Sequence, residues 1–132
     1  MYLVDANVWL ERLLDQSRSA EVGRFLDRFP SDYFFITDFA FHSISLVMCK
    51  LNRKDALLRF VRDAFVEGDV VLLHLRAEDT PRVLEAMQDH ELDFDDAYQC
   101  VAAEKRGLTV VTFDADFDRT PRGKKTPGEV LQ

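Results

Sequence analysis

Four short, mostly apolar runs recur along the chain, and they restrict its fold more than any other feature. They cover residues 2–4, 33–36, 70–73 and 108–113. The segments between them carry apolar residues at helical spacing, usually as two helices in succession. Strands of a parallel sheet that is covered on both faces are apolar without alternation, and strand–helix alternation is typical of α/β proteins. The sequence therefore predicts an α/β three-layer sandwich, with helices on both sides of a central parallel sheet of four or five strands.

Residues with capping or helix-breaking properties mark the ends of the predicted helices. Asn7 follows the first run and is placed to cap the helix after it. Pro30 ends the second helix, and Gly68 and Gly107 follow later helices as stop signals. Beyond residue 117 the chain turns polar and basic. We expect that tail to be a loop with a short edge strand or a terminal turn.

The length of 132 residues fits one domain, which we expect to cover residues 1–132. Hydrophobic residues make up 47% of the chain and charged residues 31%, which is too apolar for a disordered protein. No apolar run approaches the roughly 20 residues of a membrane span, and the N-terminus lacks the pattern of a signal peptide. We therefore expect a cytoplasmic protein without membrane contact.

Cysteine usage and net charge limit which kinds of site the chain can carry. Cys49 and Cys100 lie in apolar helical patterns and form no CxxC motif, so we expect two buried, reduced thiols. The net charge of −7 argues against a surface that coats phosphates generally. It leaves room for nucleic-acid chemistry at a metal site, because a bound cation reverses the local sign.

Acidic residues follow the predicted strands. Asp5, Asp38 and Asp114 each come after an apolar run, and Asp96 stands at the front of a late helix. Because the carboxyl ends of parallel strands meet at one edge, we expect these four carboxylates to gather there. Such a group repels itself unless it holds a cation, and carboxylate-only ligands suit Mg²⁺ or Mn²⁺. An ion of this kind can activate water and stabilise charge on a phosphoryl group.

The same acids could instead serve as helix caps or belong to a different kind of phosphate chemistry. Acids at helix starts, such as Asp38 and Asp93, are also favoured as caps, whereas a lone Asp5 after a strand gains little structurally. A receiver domain would need an acid after the third strand, where the chain has His74. A phosphatase of the haloacid dehalogenase type would need a second acid at Asn7. A metal-dependent phosphodiesterase fits the pattern better than either enzyme class.

Three segments carry a resemblance to a known family. They are Val4-Asp5-Ala6-Asn7, Asp96-Ala97 and Thr112-Phe113-Asp114-Ala115-Asp116-Phe117. In order and spacing they resemble the PIN domain family over nearly the whole chain, and most closely its small members typified by the VapC toxins. The resemblance implies a Mg²⁺- or Mn²⁺-dependent endoribonuclease. It also implies an RNA substrate, an antitoxin protein as partner, and a homodimer.

The family pattern transfers to individual residues of this chain. By resemblance, Asp5, Asp96 and Asp114 are metal-binding acids. Asn7 and Thr112 match polar positions that support the acids, and we expect Asp116 to support them or to add a ligand.

One family acid has no counterpart. The family usually has a Glu about two turns into the helix after the second strand, where this chain has Ala40-Phe41-His42-Ser43. Asp38 is the nearest candidate for its role, and His42 and Ser43 are candidates for contacting a phosphate near the metal. The missing Glu motivates an alternative, in which the chain is a weak or inactive binding module for protein or RNA. The basic residues 119–125 are the sequence's candidate for gripping an RNA backbone.

Overall fold

The computed structural model describes all 132 residues, Met1–Gln132. Four strands form one sheet: β1 (Tyr2–Val4), β2 (Phe34–Thr37), β3 (Val71–Leu73) and β4 (Thr109–Val111). Seven α-helices surround it: α1 (Ala6–Leu13), α2 (Ser19–Arg28), α3 (Asp38–Lys50), α4 (Lys54–Val61), α5 (Thr80–His90), α6 (Phe94–Arg106) and α7 (Pro127–Leu131). Short 3₁₀ segments cover Ser31–Tyr33, Ala77–Asp79 and Ala115–Arg119, and a π-helical turn, Arg62–Val66, continues α4.

The strands are parallel and are arranged in the order β3-β2-β1-β4. In the central strand, Tyr2 is in register with Phe34 of β2 and with Thr109 of β4. All four strands therefore end at the same edge of the sheet. The predicted α/β sandwich with a parallel, helix-flanked sheet is confirmed, with four strands.

The core lies on both faces of the sheet, which explains why the strands are apolar throughout. Neighbouring residues of one strand point to opposite faces. Val4 belongs to a cluster of 13 buried residues with α1 to α4, whereas Leu3 belongs to a cluster of 8. In β2, Ile36 likewise belongs to the cluster of 13 and Phe35 to the cluster of 8. A third cluster, of 6 residues, joins α5 to α6.

The first helix has a different cap from the one predicted. Asp5, in extended conformation, accepts a hydrogen bond from the Ala6 backbone N–H at 2.7 Å. Asn7 lies inside α1 instead of preceding it. Helix formation starts as soon as β1 ends, so the cap falls on the acid and the Asn7 side chain is free to bond elsewhere.

The C-terminal tail contains a helix that the sequence pattern did not indicate. Lys125 pairs with β4, since its N–H donates to the Val110 carbonyl at 2.9 Å and its carbonyl accepts from Thr112. The short helix α7 follows and contacts α2, where the Gly128 N–H donates to Glu21 Oε2 at 2.9 Å. The expected edge pairing is present as a single bridge, but the expectation of a loop beyond it was wrong.

The two cysteines differ in their exposure. Cys100 is buried as expected, whereas Cys49 is exposed because it lies on the outward face of α3. Among the helices, none combines the length and the apolar composition that crossing a membrane requires.

Candidate metal centre at the sheet edge

A cleft of about 290 Å³ opens at the carboxyl ends of β1, β2 and β4. Four of its lining residues are acids, and the rest come from the starts of α1, α3 and α6. The lining residues are Asp5, Ala6, Asn7, Leu10, Phe39, Ala40, Ser43, Asp95, Asp96, Gln99 and Asp114. The fold thus brings acids from residue 5 and from residues 95–114 to one place, as the parallel sheet predicts.

Three acids form a group compact enough to hold one metal ion. Asp96, Asp114 and Asp116 each offer one carboxylate oxygen, and the three oxygens lie within 4.8 Å of one another. Asp96 comes from the first turn of α6, Asp114 caps the 3₁₀ segment after β4, and Asp116 lies within that segment. Asp96 and Asp114 are half-buried, whereas Asp116 is exposed. The group is open to solvent on the Asp116 side.

The electrostatics of this group favour a cation. Burial and the nearby charges of Asp114, Asp5, Asp116 and Asp93 raise the pKa of the Asp96 carboxyl to about 7. Arg119 pairs with Asp116 alone, so the raised pKa of Asp96 indicates negative charge that the chain's own cations leave partly unbalanced and that a bound cation would neutralise. All donors are oxygens, with no His or Cys among them. The donor set therefore fits a hard divalent ion such as Mg²⁺ or Mn²⁺.

Asp5 lies beside this group and is held by hydrogen bonds. Its Oδ1 accepts from the Ala6 N–H at 2.7 Å and from Gln99 Nε2 at 3.2 Å. Its Oδ2 accepts from the Thr112 hydroxyl at 2.9 Å. Burial raises the pKa of Asp5, and the hydrogen bonds from Thr112, Ala6 and Gln99 only partly counteract this. The carboxylate borders the cleft, and its orientation is fixed from three directions.

Asn7 and Thr112 link the ends of β1 and β4. Asn7 Nδ2 donates to the Thr112 hydroxyl oxygen at 3.0 Å, and Asn7 Oδ1 accepts from the Phe113 N–H at 3.2 Å. The same hydroxyl oxygen accepts from the Asp114 N–H at 3.0 Å. Thr112 therefore bonds directly to Asp5 and to the backbone of Asp114, and Asn7 holds the Thr112 hydroxyl oxygen and lies 3.5 Å from Asp5 Oδ2.

Gln99 is a site residue that the sequence reasoning missed. It is buried, and while its Nε2 donates to Asp5, its Oε1 accepts from the buried Thr37 hydroxyl. Gln99 thereby ties the end of β2 to the end of β1 through α6. The available signal was a polar residue on the buried face of α6, three positions after Asp96.

Asp38 and His42 lie outside the cleft. Asp38 is exposed, and its Oδ1 accepts from the Tyr98 hydroxyl and from the Phe39 N–H, both at 2.8 Å. His42 is exposed on α3, whereas Ser43, the next residue, lines the cleft. The geometry therefore brings Ser43 to the acids but does not bring Asp38 or His42 there.

The basic tail is largely engaged within the chain. Arg119 Nη2 lies 2.7 Å from Asp116 Oδ1, and Lys124 Nζ lies 3.8 Å from Asp118 Oδ2. Arg122 Nη2 donates to the Leu108 carbonyl at 3.2 Å. Among the tail's cations, the side chain of Lys125 makes no hydrogen bond or ion pair.

Arg18, at the N-terminal flank of α2, lines a cleft that adjoins the acid cleft. The Arg18 guanidinium carbon is 4.4 Å from the centroid of the Phe113 ring. Both residues line a second cleft, of about 530 Å³, which shares Asn7 and Leu10 with the acid cleft. Arg18 makes no side-chain ion pair, so its charge is available to an anion.

A larger, mostly apolar cleft of about 620 Å³ lies between α1, α2 and α4. Trp9, Phe29, Phe34 and Phe60 contribute aromatic walls. The indole N–H of Trp9 is buried and has no hydrogen-bond partner. No acid of the metal group lines this cleft, so it is separate from the candidate metal centre.

Comparison with known proteins agrees with this geometry. The family model described as PIN domain matches residues 2–123. A toxin–antitoxin complex from Klebsiella pneumoniae is 21% identical, with a TM-score of 0.76, over 96% of this chain and 98% of that one. VapC20 of Mycobacterium tuberculosis, described as a Sarcin-Ricin loop cleaving toxin, is 17% identical, with a TM-score of 0.76, over 89% and 93%.

A third structure, FitAcB from Neisseria gonorrhoeae, is 20% identical with a TM-score of 0.74, over 96% of this chain and 98% of that one. Among curated protein sequences no match is found. Identities at this level show a shared fold, and the family model supplies the assignment. The predicted resemblance is confirmed: this chain belongs to the PIN domain family.

Proposed function

We propose that this protein is a metal-dependent endoribonuclease and the toxin of a toxin–antitoxin pair. The observation that carries the proposal is the compact group of Asp96, Asp114 and Asp116 beside a cleft at the sheet edge. Membership of the PIN domain family and the fold shared with structures described as toxins support it.

In this proposal the acids hold Mg²⁺ or Mn²⁺ and Asp5 completes their surroundings. A bound divalent ion supplies a more acidic water and stabilises negative charge on a phosphodiester. Asp96, whose pKa is raised to about 7, would hold the ion as a carboxylate, so ion affinity would rise with pH through that range. Asn7, Thr112 and Gln99 keep Asp5 and the Asp114 backbone in place through the hydrogen bonds described above.

The RNA strand is proposed to cross the cleft with its backbone near Arg18. The net charge of −7 makes an unpaired cation beside the acids important for attracting a polyanion. Arg18 is proposed for this role ahead of the basic tail, because two of the tail's four cations, Arg119 and Lys124, pair with acids of the tail itself. Ser43, which lines the cleft, remains the proposed phosphate contact from α3.

Replacement of single acids tests the nuclease proposal. Asp96→Asn and Asp114→Asn should each lower cleavage of single-stranded RNA by about 100-fold or more, because metal stabilisation is worth several kcal/mol. Asp118→Asn is the matched control, since Asp118 is exposed, pairs with Lys124 and lies outside the cleft. Undiminished, metal-dependent cleavage by both site variants would overturn the proposal.

The second candidate function is a PIN-fold binding module with little or no activity. One observation favours it: α3 contributes Ala40 and Ser43 to the cleft but no acid, and Asp38 bonds to Tyr98 instead. Calorimetry with Mn²⁺ separates the two functions. Heat of binding at millimolar Mn²⁺ that disappears in Asp96→Asn supports the nuclease, and no binding by the unaltered protein supports the module.

We propose that the antitoxin contacts the apolar cleft around Trp9. Four aromatic walls suit a peptide that brings apolar side chains into the cleft. Trp9 is the only tryptophan, so its fluorescence reports directly on this cleft. Titration with an antitoxin that binds this protein should shift that emission, and an unchanged spectrum despite complex formation would place the antitoxin elsewhere.

A homodimer is proposed through the exposed apolar residues of α3 and α4 and the turn that joins them. The Phe side chains of this region mostly pack inward, whereas Leu46, Leu51 and Leu58 are 48%, 52% and 67% exposed. Sedimentation of the unaltered protein should give a dimer, and Leu58→Lys should shift it towards the monomer. A monomer at all concentrations would exclude this interface.

A further inference from the structure

Three aromatic rings form a continuous strip beside the acid cleft. The Phe39 and Tyr98 ring centroids are 5.7 Å apart with an interplanar angle of 38°, and those of Tyr98 and Phe94 are 6.3 Å apart at 39°. Phe39 comes from α3, and the other two lie one helical turn apart on α6. We call these three residues the aromatic strip.

The aromatic strip is not part of the hydrophobic core. None of its residues belongs to, or packs against, any of the three core clusters. Phe94 is 40% exposed, and the other two rings are half-buried. Large apolar rings that contact each other at the surface, and not the interior, leave apolar area available to a ligand.

The aromatic strip is continuous with the candidate metal centre. Phe39 itself lines the acid cleft, and Phe94 immediately precedes Asp95 and Asp96, which also line it. A molecule whose phosphate reaches the acids would therefore bring its neighbouring groups onto these rings. The surrounding carboxylates disfavour an anionic group at the rings, and stacking on aromatic rings favours a flat group. A nucleic-acid base meets both conditions.

Hydrogen bonds hold the central ring of the strip in place. The Tyr98 hydroxyl accepts from the Leu75 N–H at 2.9 Å and donates to Asp38 Oδ1 at 2.8 Å. Asp38 is itself fixed by the Phe39 N–H at 2.8 Å. A ring ordered before binding loses little conformational entropy when a ligand stacks on it.

We propose that the aromatic strip stacks an unpaired base of single-stranded RNA next to the phosphodiester at the acids, with Asp38 as a positioning residue that holds Tyr98. This rests on the proposed nuclease function and names a base-binding subsite for it. Aromatic stacking accepts any base, so the strip contributes affinity and register rather than sequence preference. Paired bases in a duplex are unavailable to it, which makes the subsite selective for unpaired strands.

The test uses a short single-stranded oligoribonucleotide carrying 2-aminopurine, whose fluorescence is quenched by stacking, with Ca²⁺ in place of Mg²⁺. Phe94→Ala should weaken binding by about 5- to 100-fold and remove the quenching. Phe94→Trp should retain both, because it restores a ring. Leu84→Ala is the matched control, since Leu84 is an exposed apolar residue on α5.

Separate readouts distinguish this inference from the nuclease proposal. Calorimetry should show that Phe94→Ala binds Mn²⁺ as the unaltered protein does, and its cleavage should show a raised KM with kcat largely kept. If the quenching depends on Phe94 but the protein never cleaves RNA, the subsite proposal stands and the nuclease proposal is wrong. Unchanged affinity and quenching in Phe94→Ala, or a changed oligomeric state instead, would overturn the subsite.

Discussion

Asp38 shows how one carboxylate can be assigned two roles, depending on whether sequence position or contacts are considered. Its place after β2 suggested a metal-assisting acid. Its contacts, to the Tyr98 hydroxyl and the Phe39 N–H, make it part of the surroundings of the aromatic strip. The two roles predict different kinetics, because an acid at the metal acts on the chemical step and a positioning residue acts on substrate binding.

We expect Asp38→Ala to raise KM for single-stranded RNA by about 3- to 10-fold while kcat changes little, because the Tyr98 ring loses one of its two hydrogen bonds. Tyr98→Phe, which keeps the ring and removes both hydrogen bonds, should raise KM at least as much. Steady-state cleavage kinetics measure both parameters. A fall in kcat with unchanged KM would instead indicate that Asp38 assists at the metal.

The raised pKa of Asp96 predicts a pH dependence of stability without metal. Its folded-state pKa of about 7 lies above the unfolded value of about 3.9. Stability from this group is therefore complete below about pH 4 and is lost as pH rises through about 7. With allowance for solvent screening, we expect a loss of about 1 to 2 kcal/mol in unfolding free energy. Urea titrations from pH 5 to 8 should show this slope, reduced in Asp96→Asn; an equal slope in both proteins would contradict it.

Single residues were predictable from sequence where backbone position alone brings them to the sheet edge. Asp96 and Asp114 were found this way because they sit at the start of a helix and the end of a strand. Gln99 and Arg18 were not, because their roles depend on contacts with Asp5 and Phe113, far away in sequence. Replacing Asp5 or Phe113 would therefore disturb the position of Gln99 or Arg18, although neither of these two residues belongs to a recognisable sequence motif.

At the scale of elements, two helices end in the same left-handed conformation with different residues. Gly107 ends α6 with φ of 65°, and Glu91 ends α5 with φ of 54°. Glycine adopts this conformation freely, whereas other residues are disfavoured by roughly 1 kcal/mol. Gly107 and Glu91 therefore allow the stability of the same helix-end geometry to be compared with and without a side chain.

We expect Gly107→Ala to destabilise the protein by about 1 kcal/mol, through backbone strain alone, because a Cβ at this position meets no atom within 4 Å. Glu91→Gly should instead stabilise by up to about 1 kcal/mol, reduced by the greater freedom of glycine in the unfolded chain. Urea unfolding measures both changes. Equal signs for the two substitutions would show that side-chain contacts, and not the cap, dominate.

The elements with a clear apolar pattern were predictable, and the shortest helix was not. β1 through β4 match the four apolar runs within about two residues at each end. The helix α7 is 5 residues long, too short to show periodicity, and depends on α2 and the Thr126 cap. Local sequence therefore supplies only the start of α7, through Thr126 and Pro127, and the contacts with α2 supply the rest of its stability.

At the scale of the whole molecule, metal binding should appear as added stability. A ligand that binds only the folded state at 100 times its Kd contributes about 2.7 kcal/mol. We expect Mn²⁺ at millimolar concentration to raise the Tm of the unaltered protein by several degrees. The increase should vanish in Asp114→Asn and persist in Asp118→Asn. A rise of the same size in all three proteins would indicate non-specific binding of Mn²⁺ to this acidic chain.

The overall architecture followed from sequence because the strands are short apolar runs joined by helical segments, which is the pattern of a helix-covered parallel sheet. The clefts did not follow, because their shapes arise from side chains of several elements that meet only in the folded chain. The apolar cleft around Trp9 illustrates this: its walls come from α1, α2, β2 and α4.

The strand order has a consequence for protein synthesis. The strand made first, β1, lies in the centre of the sheet and pairs with β2 and, much later, with β4. All three acids of the metal group belong to the last third of the chain. A ribosome that stalls before Asp114 therefore releases a polypeptide without the complete group. If the proposed nuclease is correct, no activity can appear in the cell until translation has passed Asp116.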